Sequence, residues 1–132
     1  MVITDQQERI GLWFAKQTNV DYIPNKFVYI GLLRNDEIVA ATAYNDYRHD
    51  SINMHIIVTG RPTKEFVWYV FHYPFIEMGV KKIIGPVESN NTKCLKFTKH
   101  VGFELEAVIK DGGNKCDLHL VTITKEQCKY LK

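Results

Sequence analysis

Apolar residues recur at helical spacing near the start of the chain. Ile10, Trp13 and Phe14 fall on one side of a helix with a period of about 3.6 residues. Thr4 or Asp5 precedes this segment, and either side chain can accept a hydrogen bond from the amides of a first helical turn. The pattern predicts an N-terminal helix that begins at such a cap and buries Trp13 and Phe14.

Three apolar runs then alternate with short polar segments. The runs are rich in aromatic and branched residues, which favour strands, and they cover residues 27–33, 38–44 and 52–58. The polar connections, residues 34–37 and 45–50, are short enough for hairpin turns. We therefore predict an antiparallel meander of three strands.

The pattern becomes helical after the third run. Thr63 suits a helix start, and the apolar residues of segment 65–78 lie mainly on one helical face. Pro74 should kink this helix or end its regular part, and Gly79 suits its C-terminal cap. The next apolar run, residues 83–87, predicts a strand parallel to the third one, joined to it by a right-handed crossover.

The last part of the chain predicts a helix, a hairpin and a final short helix. Ser89, Asn90 and Asn91 offer capping oxygens to a helix over residues 92–100. Residues 103–110 and 116–124 predict two strands on either side of a Gly-rich turn. Residues 125–131 predict a short helix that ends the fold.

Composition limits the class of protein. The 132 residues, of which 45% are hydrophobic and 12% aromatic, suit one folded domain over residues 1–132. A formal net charge of +2 is too small for a nucleic-acid-binding face, which usually carries clustered Lys and Arg. No stretch of sequence reaches the roughly 18 apolar residues that span a bilayer. Three cysteines without a CxxC pair predict a cytoplasmic protein, and five histidines without zinc-ligand spacing predict no metal site.

A basic turn separates the third strand from the helix that follows it. Gly60, Arg61, Thr63 and Lys64 belong to this turn, which we call the basic turn (residues 60–64). The amides and the dipole of a helix N-terminus attract anions, and nearby cations add to that attraction. The turn therefore predicts a site for the phosphate of a small molecule.

Asn91, Cys94, Gly102 and Phe103 carry a family resemblance. Their spacing resembles the signature that follows the fifth strand of the GCN5-related N-acetyltransferases, the GNAT superfamily, and the order of predicted elements matches that fold over nearly the whole chain. The resemblance implies an α/β (α+β) fold, with a mixed, mostly antiparallel central sheet, a splayed parallel strand pair and helices on both faces.

Several segments more narrowly resemble small GNAT-like proteins of bacteriophages and prophages. These segments are residues 54–56, 63–66, 73–75, 79–80 and 126–131. A phage-encoded member of this type would act in the cytoplasm of the host.

The resemblance implies that acetyl-coenzyme A (acetyl-CoA) is the co-substrate. Its pantetheine chain would bind like an added strand to the backbone of Ile56, Ile57 and Val58. Its diphosphate would bind at the basic turn, and Asn91 and Phe97 are the remaining expected cofactor contacts.

The basic turn departs from the family pattern. That pattern usually has two glycines here, which let the backbone approach the diphosphate, whereas this turn has only Gly60, and Pro62 lacks an amide donor. Arg61 and Lys64 can replace the missing donors with charged side chains. The alternative is a degenerate site that binds coenzyme A weakly.

The expected general acid is also absent. Many family members have a Tyr seven residues after the signature Asn, where it protonates the departing thiolate, but this chain has Thr98 there. A threonine hydroxyl is a poor acid. Tyr44, Tyr47 or solvent would have to supply the proton.

Two residues are candidates for the chemistry. His55 lies in the strand that should line the cleft, where an imidazole can act as a general base or orient the acceptor; a packed, hydrogen-bonded histidine is the alternative. Glu88, at the end of the fifth strand, is the second candidate, and helix capping or solvation is its alternative role.

Three functions compete at this point. The first is transfer of an acetyl group from acetyl-CoA to an amine of a small molecule or a protein, by direct attack in a ternary complex. The second is a non-catalytic GNAT-fold protein with a structural or host-interaction role in a phage. The third is modification of a nucleobase or nucleic acid, which the absence of a strong basic patch counts against. Outward aromatic residues of the central helix, such as Trp68, could support a homodimer.

Overall fold

The first half of the chain pairs as a meander in the computed structural model, which describes residues 1–131. The strand β3 (Glu37–Asn45) pairs antiparallel with β2 (Val28–Arg34) on one side and with β4 (Ser51–Val58) on the other. A two-residue strand, β1 (Val2–Ile3), pairs with the outer edge of β2. The pattern of the sequence did not predict β1, because two residues are too few to show a period of two.

The second half adds the crossover and a hairpin. After α2 (Lys64–His72), the strand β5 (Lys82–Glu88) lies parallel to β4, as predicted. The helix α3 (Thr92–His100) leads into β6 (Glu104–Ile109) and β7 (Leu118–Thr124), of which β7 pairs antiparallel with β5. The resulting seven-stranded sheet has the order β1-β2-β3-β4-β5-β7-β6.

Helices cover both faces of this sheet. The helix α1 (Gln7–Thr18) packs Ile10 and Phe14 against Ala41 and Ala43 of β3, where small side chains allow a close approach. On the opposite face, α2 and α3 cover the larger core, which includes Met54 and Ile56 of β4. The predicted fold class, a mixed sheet with one parallel pair and helices on both faces, is confirmed.

The regular part of α2 ends where Pro74 was expected to disturb it. The helix stops at His72 and continues as one wider π-helical turn, Tyr73–Glu77. Proline has no amide hydrogen and its ring crowds the preceding turn, so the usual ladder of hydrogen bonds cannot continue. Gly79 follows with a positive φ of 73°, which fits the predicted C-terminal role.

The predicted cap of α1 is wrong. Gln6 occupies the capping position, and its side chain makes no capping hydrogen bond. The adjacent Gln7 instead joins the helix to the sheet: its Nε2 donates to the carbonyl oxygens of Thr4 and Tyr29, and its Oε1 accepts from the Tyr29 amide. Trp13 is only half-buried, whereas Phe14 is buried as expected.

The predicted C-terminal helix is also wrong. Only a three-residue 3₁₀ turn forms, Lys129–Leu131. The segment before it is held by a reciprocal pair of hydrogen bonds, in which the Thr124 amide donates to Gln127 Oε1 and the Gln127 amide donates to Thr124 Oγ1. These side-chain hydrogen bonds compete with the backbone hydrogen bonds of a helix, so residues 124–127 are held in a turn.

Candidate functional site

The parallel strands β4 and β5 separate along their length. Their pairing covers only Ser51 with Lys82, Ile52 with Ile83 and Asn53 with Ile84. Beyond that point β4 continues for five residues to Val58 and β5 for four residues to Glu88 without pairing to each other. The separation opens a cleft in the sheet, in agreement with the splayed strand pair that the family resemblance implies.

The cleft has a larger inner part and a smaller outer part. The inner part has a volume of about 600 Å³ and is lined by both splayed strands, by the end of α1 and by α3. The outer part, about 90 Å³, lies between the end of β4 and the start of α3. Ile56, Ile57, Asn91 and Cys94 line both parts, so the two are continuous.

The backbone of β4 presents polar groups to this cleft. The Ile56 carbonyl oxygen lies 3.9 Å from the Cys94 sulfur of α3. The Met54 carbonyl oxygen faces β5, because a Cβ placed on Gly85 would lie 3.7 Å from it. In a strand the N–H and C=O of one residue point to the same edge. Beyond the last paired residue, the Met54 and Ile56 carbonyls therefore offer acceptors to an extended ligand, and the Ile56 amide offers a donor.

The start of α3 closes the outer part of the cleft. Asn91 caps this helix, since its Oδ1 accepts a hydrogen bond from the Cys94 amide at 3.2 Å. Phe97 and Lys93 lie one turn apart on the wall that faces Val58. Burial raises the pKa of the Cys94 thiol to about 11, so this sulfur stays protonated at neutral pH and is unsuited to act as a nucleophile.

His55 lies in the inner part of the cleft, on the face of β4 that α1 covers. Its Nε2 lies 3.3 Å from Asn45 Oδ1, and the ring of Phe27 meets the imidazole edge-on at 5.8 Å. Burial lowers the pKa of His55; the nearby Asp46 carboxylate opposes this shift and Lys26 adds to it. The imidazole is therefore neutral at pH 7, the state that a general base requires.

Glu88 also lines the cleft, at the end of β5. Its side chain is exposed, and its Oε1 accepts a hydrogen bond from the Asn114 amide of the β6–β7 turn at 3.1 Å. The capping role that was its alternative belongs instead to Asn91. His55 and Glu88 thus come from opposite walls of the same cavity.

The side chains of Tyr44, Tyr47 and Thr98 are not placed to protonate the departing thiolate. Tyr44 is buried under α2, donates its hydroxyl to the Val70 carbonyl, and has a pKa raised by burial. Tyr47 is exposed and lies outside the cleft lining, near His49. Thr98 does line the cleft, but its hydroxyl donates to the Leu95 carbonyl. Solvent is the remaining candidate from the sequence.

The basic turn follows β4 directly and leads into α2. Thr63 caps that helix, with its Oγ1 accepting from the Phe66 amide at 3.1 Å. The Gly60 amide donates to the Val39 carbonyl at 2.9 Å, so it is not open to a phosphate. A Cβ at this position would lie 2.9 Å from the Val39 Cβ, which explains the glycine by packing. Arg61 and Lys64 are exposed.

Sequence reasoning missed the contribution of α1 to the cleft. The end of this helix and the residues after it supply one wall, formed by Phe14, Gln17, Thr18 and Val20. Tyr22 packs onto the same helix, because its ring occupies the space that a Cβ on Gly11 would take. No local signal could have identified this wall, since these residues meet β4 only through the folded sheet.

A carboxylate placed beside His55 should change its titration. Asn45→Asp puts a negative charge within reach of Nε2, which favours the protonated imidazole, so we expect the pKa of His55 to rise. An NMR titration of the His55 ring protons measures this pKa. Asn35→Asp makes the same charge change in the β2–β3 turn and should leave it unaltered. An unchanged pKa in Asn45→Asp would contradict the contact between the two side chains.

Within residues 1–131 there is no group of three or more His, Cys, Asp or Glu side chains arranged to hold a metal ion. The helices of the same range are all too short or too polar to cross a bilayer.

The sequence comparisons give no assignment. No family model matches the chain, and no curated protein is significantly similar to it.

Several solved structures with a similar fold are N-acetyltransferases. One is PseH of Campylobacter jejuni in complex with acetyl coenzyme A, which is 16% identical and aligns over 86% of this chain and 77% of that chain with a TM-score of 0.59. A second is a spermidine N-acetyltransferase SpeG chimera from Vibrio cholerae and hSSAT, which is 16% identical over 95% of this chain and 79% of that chain, with a TM-score of 0.65.

A third is a mutant form of the spermidine/spermine N-acetyltransferase SpeG from Vibrio cholerae, 17% identical over 94% of this chain and 78% of that chain, with a TM-score of 0.65. At such low identity the likeness concerns the fold, and it agrees with the splayed β4–β5 pair described above. The chain therefore has the fold of the GCN5-related N-acetyltransferases.

Proposed function

We propose that this protein is an N-acetyltransferase that moves an acetyl group from acetyl-CoA to an amine. The observation that carries the proposal is the cleft between β4 and β5, into which the Met54 and Ile56 carbonyls point. An extended amide chain such as pantetheine can pair with these groups as an added strand would. Among solved structures of this fold, PseH is in complex with acetyl coenzyme A.

The cleft fits the parts of acetyl-CoA in order. The pantetheine would lie along Ile56, Ile57 and Val58, with Asn91 and Phe97 on the facing wall. The diphosphate would then pass beyond the end of β4 to the basic turn. Arg61 and Lys64 supply positive charge there, and the first amides of α2 add a partial positive charge.

In this proposal His55 accepts a proton from the acceptor amine. In the tautomer whose Nε2 donates to Asn45 Oδ1, Nδ1 holds the lone pair and can take a proton from the attacking nitrogen. The nitrogen, once neutral, forms its bond to the thioester carbon, and the resulting tetrahedral intermediate collapses with loss of the coenzyme A thiolate, while the nitrogen releases its second proton to solvent. Solvent supplies the proton that the thiolate takes up.

Backbone groups and the second carboxylate complete the proposal. An amide of β4 that faces the cleft can stabilise negative charge on the thioester oxygen, and holding both reactants in one cavity lowers the entropic barrier. Glu88, across the cavity from His55, would orient an amine that arrives with a positive charge. Small-molecule amines are the acceptor class we propose, as spermidine is for the SpeG enzymes by their names.

Isothermal titration with acetyl-CoA tests the proposal. We expect binding at millimolar ligand or below, and abolished binding in Cys94→Trp, because an indole at this position fills both parts of the cleft. Cys116→Trp is the matched control, since Cys116 does not line the cleft. The non-catalytic alternative predicts no binding to the unmodified protein at millimolar acetyl-CoA, and that result would overturn the proposal.

A panel of amines tests the acceptor class. Mass spectrometry of polyamines, amino sugars and peptides incubated with the protein and acetyl-CoA should show a gain of one acetyl group on a small amine. Acetylation confined to the peptides would exclude the proposed class while leaving the transferase function in place.

A further inference from the structure

Arg34 reaches the basic turn from a different part of the sheet. It is the last residue of β2, at the tip of the β2–β3 hairpin, and its Nη2 donates to the Arg61 carbonyl at 2.6 Å. Its Nη1 lies 3.3 Å from the position that a Cβ would take on Gly60. The guanidinium is therefore held against the turn.

Part of the backbone of the same turn is unavailable to an anion. One acceptor, the Val39 carbonyl, takes the amides of both Thr59 and Gly60, each at 2.9 Å. Pro62 has no amide hydrogen, and Thr63 satisfies the amide of Phe66 with its own side chain. An anion at this turn therefore meets fewer backbone donors than a regular turn would offer, and a charged side chain can add to those at the start of α2.

Arg34 is free to supply that interaction. The ion pairs found within residues 1–131 involve Arg9, Lys81 and Lys82, so no carboxylate of that range neutralises Arg34. A guanidinium has five N–H donors in a planar fork, and the bond to Arg61 uses only one of its two terminal nitrogens. Nη2 keeps a second N–H, which together with the neighbouring Nη1 or Nε can make a bidentate contact with phosphate oxygens.

We propose that Arg34 binds the diphosphate of the acyl donor, together with the amides at the start of α2. The inference rests on the proposed function, and it extends the donor site to a residue that is 27 positions away from Arg61 in the chain. The hydrogen bond to the Arg61 carbonyl positions the guanidinium, whose remaining donors would bind the phosphates.

Ligands with and without the diphosphate test the proposal. The dissociation constants of acetyl-CoA, dephospho-coenzyme A and S-acetylpantetheine are measured by titration or by competition with acetyl-CoA. In Arg34→Ala we expect binding of the first two to weaken by about tenfold or more, because each keeps the diphosphate. S-acetylpantetheine has no phosphate and should bind as it does to the unmodified protein. Arg34→Lys keeps the positive charge but loses the planar guanidinium. Its dissociation constants for acetyl-CoA and dephospho-coenzyme A should lie between those of the unmodified protein and those of Arg34→Ala.

Arg9→Ala is the matched control. Arg9 also donates from Nη2 to a backbone carbonyl of the hairpin, that of Asp36 at 2.6 Å, but it makes no contact with the basic turn. The Arg9→Ala substitution should leave all three dissociation constants unchanged. Thermal melting should show that each variant is folded.

The outcomes separate this inference from the proposed function. If the unmodified protein binds acetyl-CoA and Arg34→Ala binds all three ligands as tightly, Arg34 makes no phosphate contact and the inference is overturned. Equal weakening of all three ligands would also overturn it, because Arg34 would then only support the turn. If the unmodified protein binds none of them, the proposed function fails and the inference fails with it.

Discussion

Replacing His55 by glutamine is expected to lower kcat/KM for acetyl transfer by about 10²- to 10⁴-fold, the usual contribution of a positioned general base. Glutamine keeps much of the shape of the side chain and can still bond to Asn45, but it cannot take a proton. Titration with acetyl-CoA should give a nearly unchanged dissociation constant, because the imidazole faces the α1 side of the cleft and the proposed donor path follows the β4 edge.

The pH profile gives a second measurement of the same role. A base must be neutral to act, so kcat/KM should rise with pH as His55 loses its proton. Burial lowers the pKa of His55 from its ordinary value of 6.5, which places this rise below pH 6.5. The low-pH rise should be absent in His55→Gln, whose side chain does not titrate.

His72→Gln serves as the control for the His55 prediction. His72 stacks on Trp68 at the outer surface of α2, with a centroid distance of 4.1 Å, and does not line the cleft. This variant should keep the parental rate and the parental pH profile. A His55→Gln variant that acetylates a known acceptor at the parental rate would remove His55 from the mechanism.

Replacing Phe71 by alanine is expected to lower the free energy of unfolding by about 3–5 kcal/mol. Phe71 is 1% exposed and lies at the centre of an aromatic cluster. Its ring centroid is 5.4 Å from that of Tyr130, 6.0 Å from Phe103 and 6.4 Å from Phe75. Such a loss is a large part of the roughly 5–15 kcal/mol by which a domain of this size is stable, and urea denaturation followed by circular dichroism measures it.

Trp68→Ala is the matched control on the same helix. Trp68 is 39% exposed, and its main aromatic contacts, Tyr69 and His72, also belong to α2. Its removal should cost about 1 kcal/mol, since surface substitutions seldom cost more. Similar losses for Phe71→Ala and Trp68→Ala would contradict the assignment of Phe71 to the core that joins α2, α3 and the C-terminal turn.

The sequence predicted the elements of the fold well wherever a local period was long enough. Eight residues of β4 and nine of α3 show their type through the spacing of apolar residues and, for α3, through the capping Asn91. The failures involved short segments or side-chain competition. The two residues of β1 carry no period, and the bonds between Thr124 and Gln127 replaced the expected final helix with a turn.

The candidate site was predicted only in part. Local sequence identified β4, the basic turn and Asn91, and it pointed to His55 as the imidazole in the strand. It could not show that the Gly60 amide is bonded to Val39 or that Thr98 donates to Leu95, because such partners depend on the register of neighbouring strands and helices. The roles of these residues in binding and catalysis stay predictions.

The sequence by itself determined the order of the longer strands and helices and the residue types that a phosphate-bearing acyl donor would need. Only the tertiary structure decided where β4 and β5 part, which wall α1 supplies and which cation reaches the basic turn from β2. The physical reason is that periodicity and capping depend on a few neighbouring residues. The cleft instead forms where the backbones of β4 and β5, which are distant in the sequence, stop pairing with each other. Whether a strand pairs with the Ile56 carbonyl depends on the path of β5, which lies some thirty positions further along the chain.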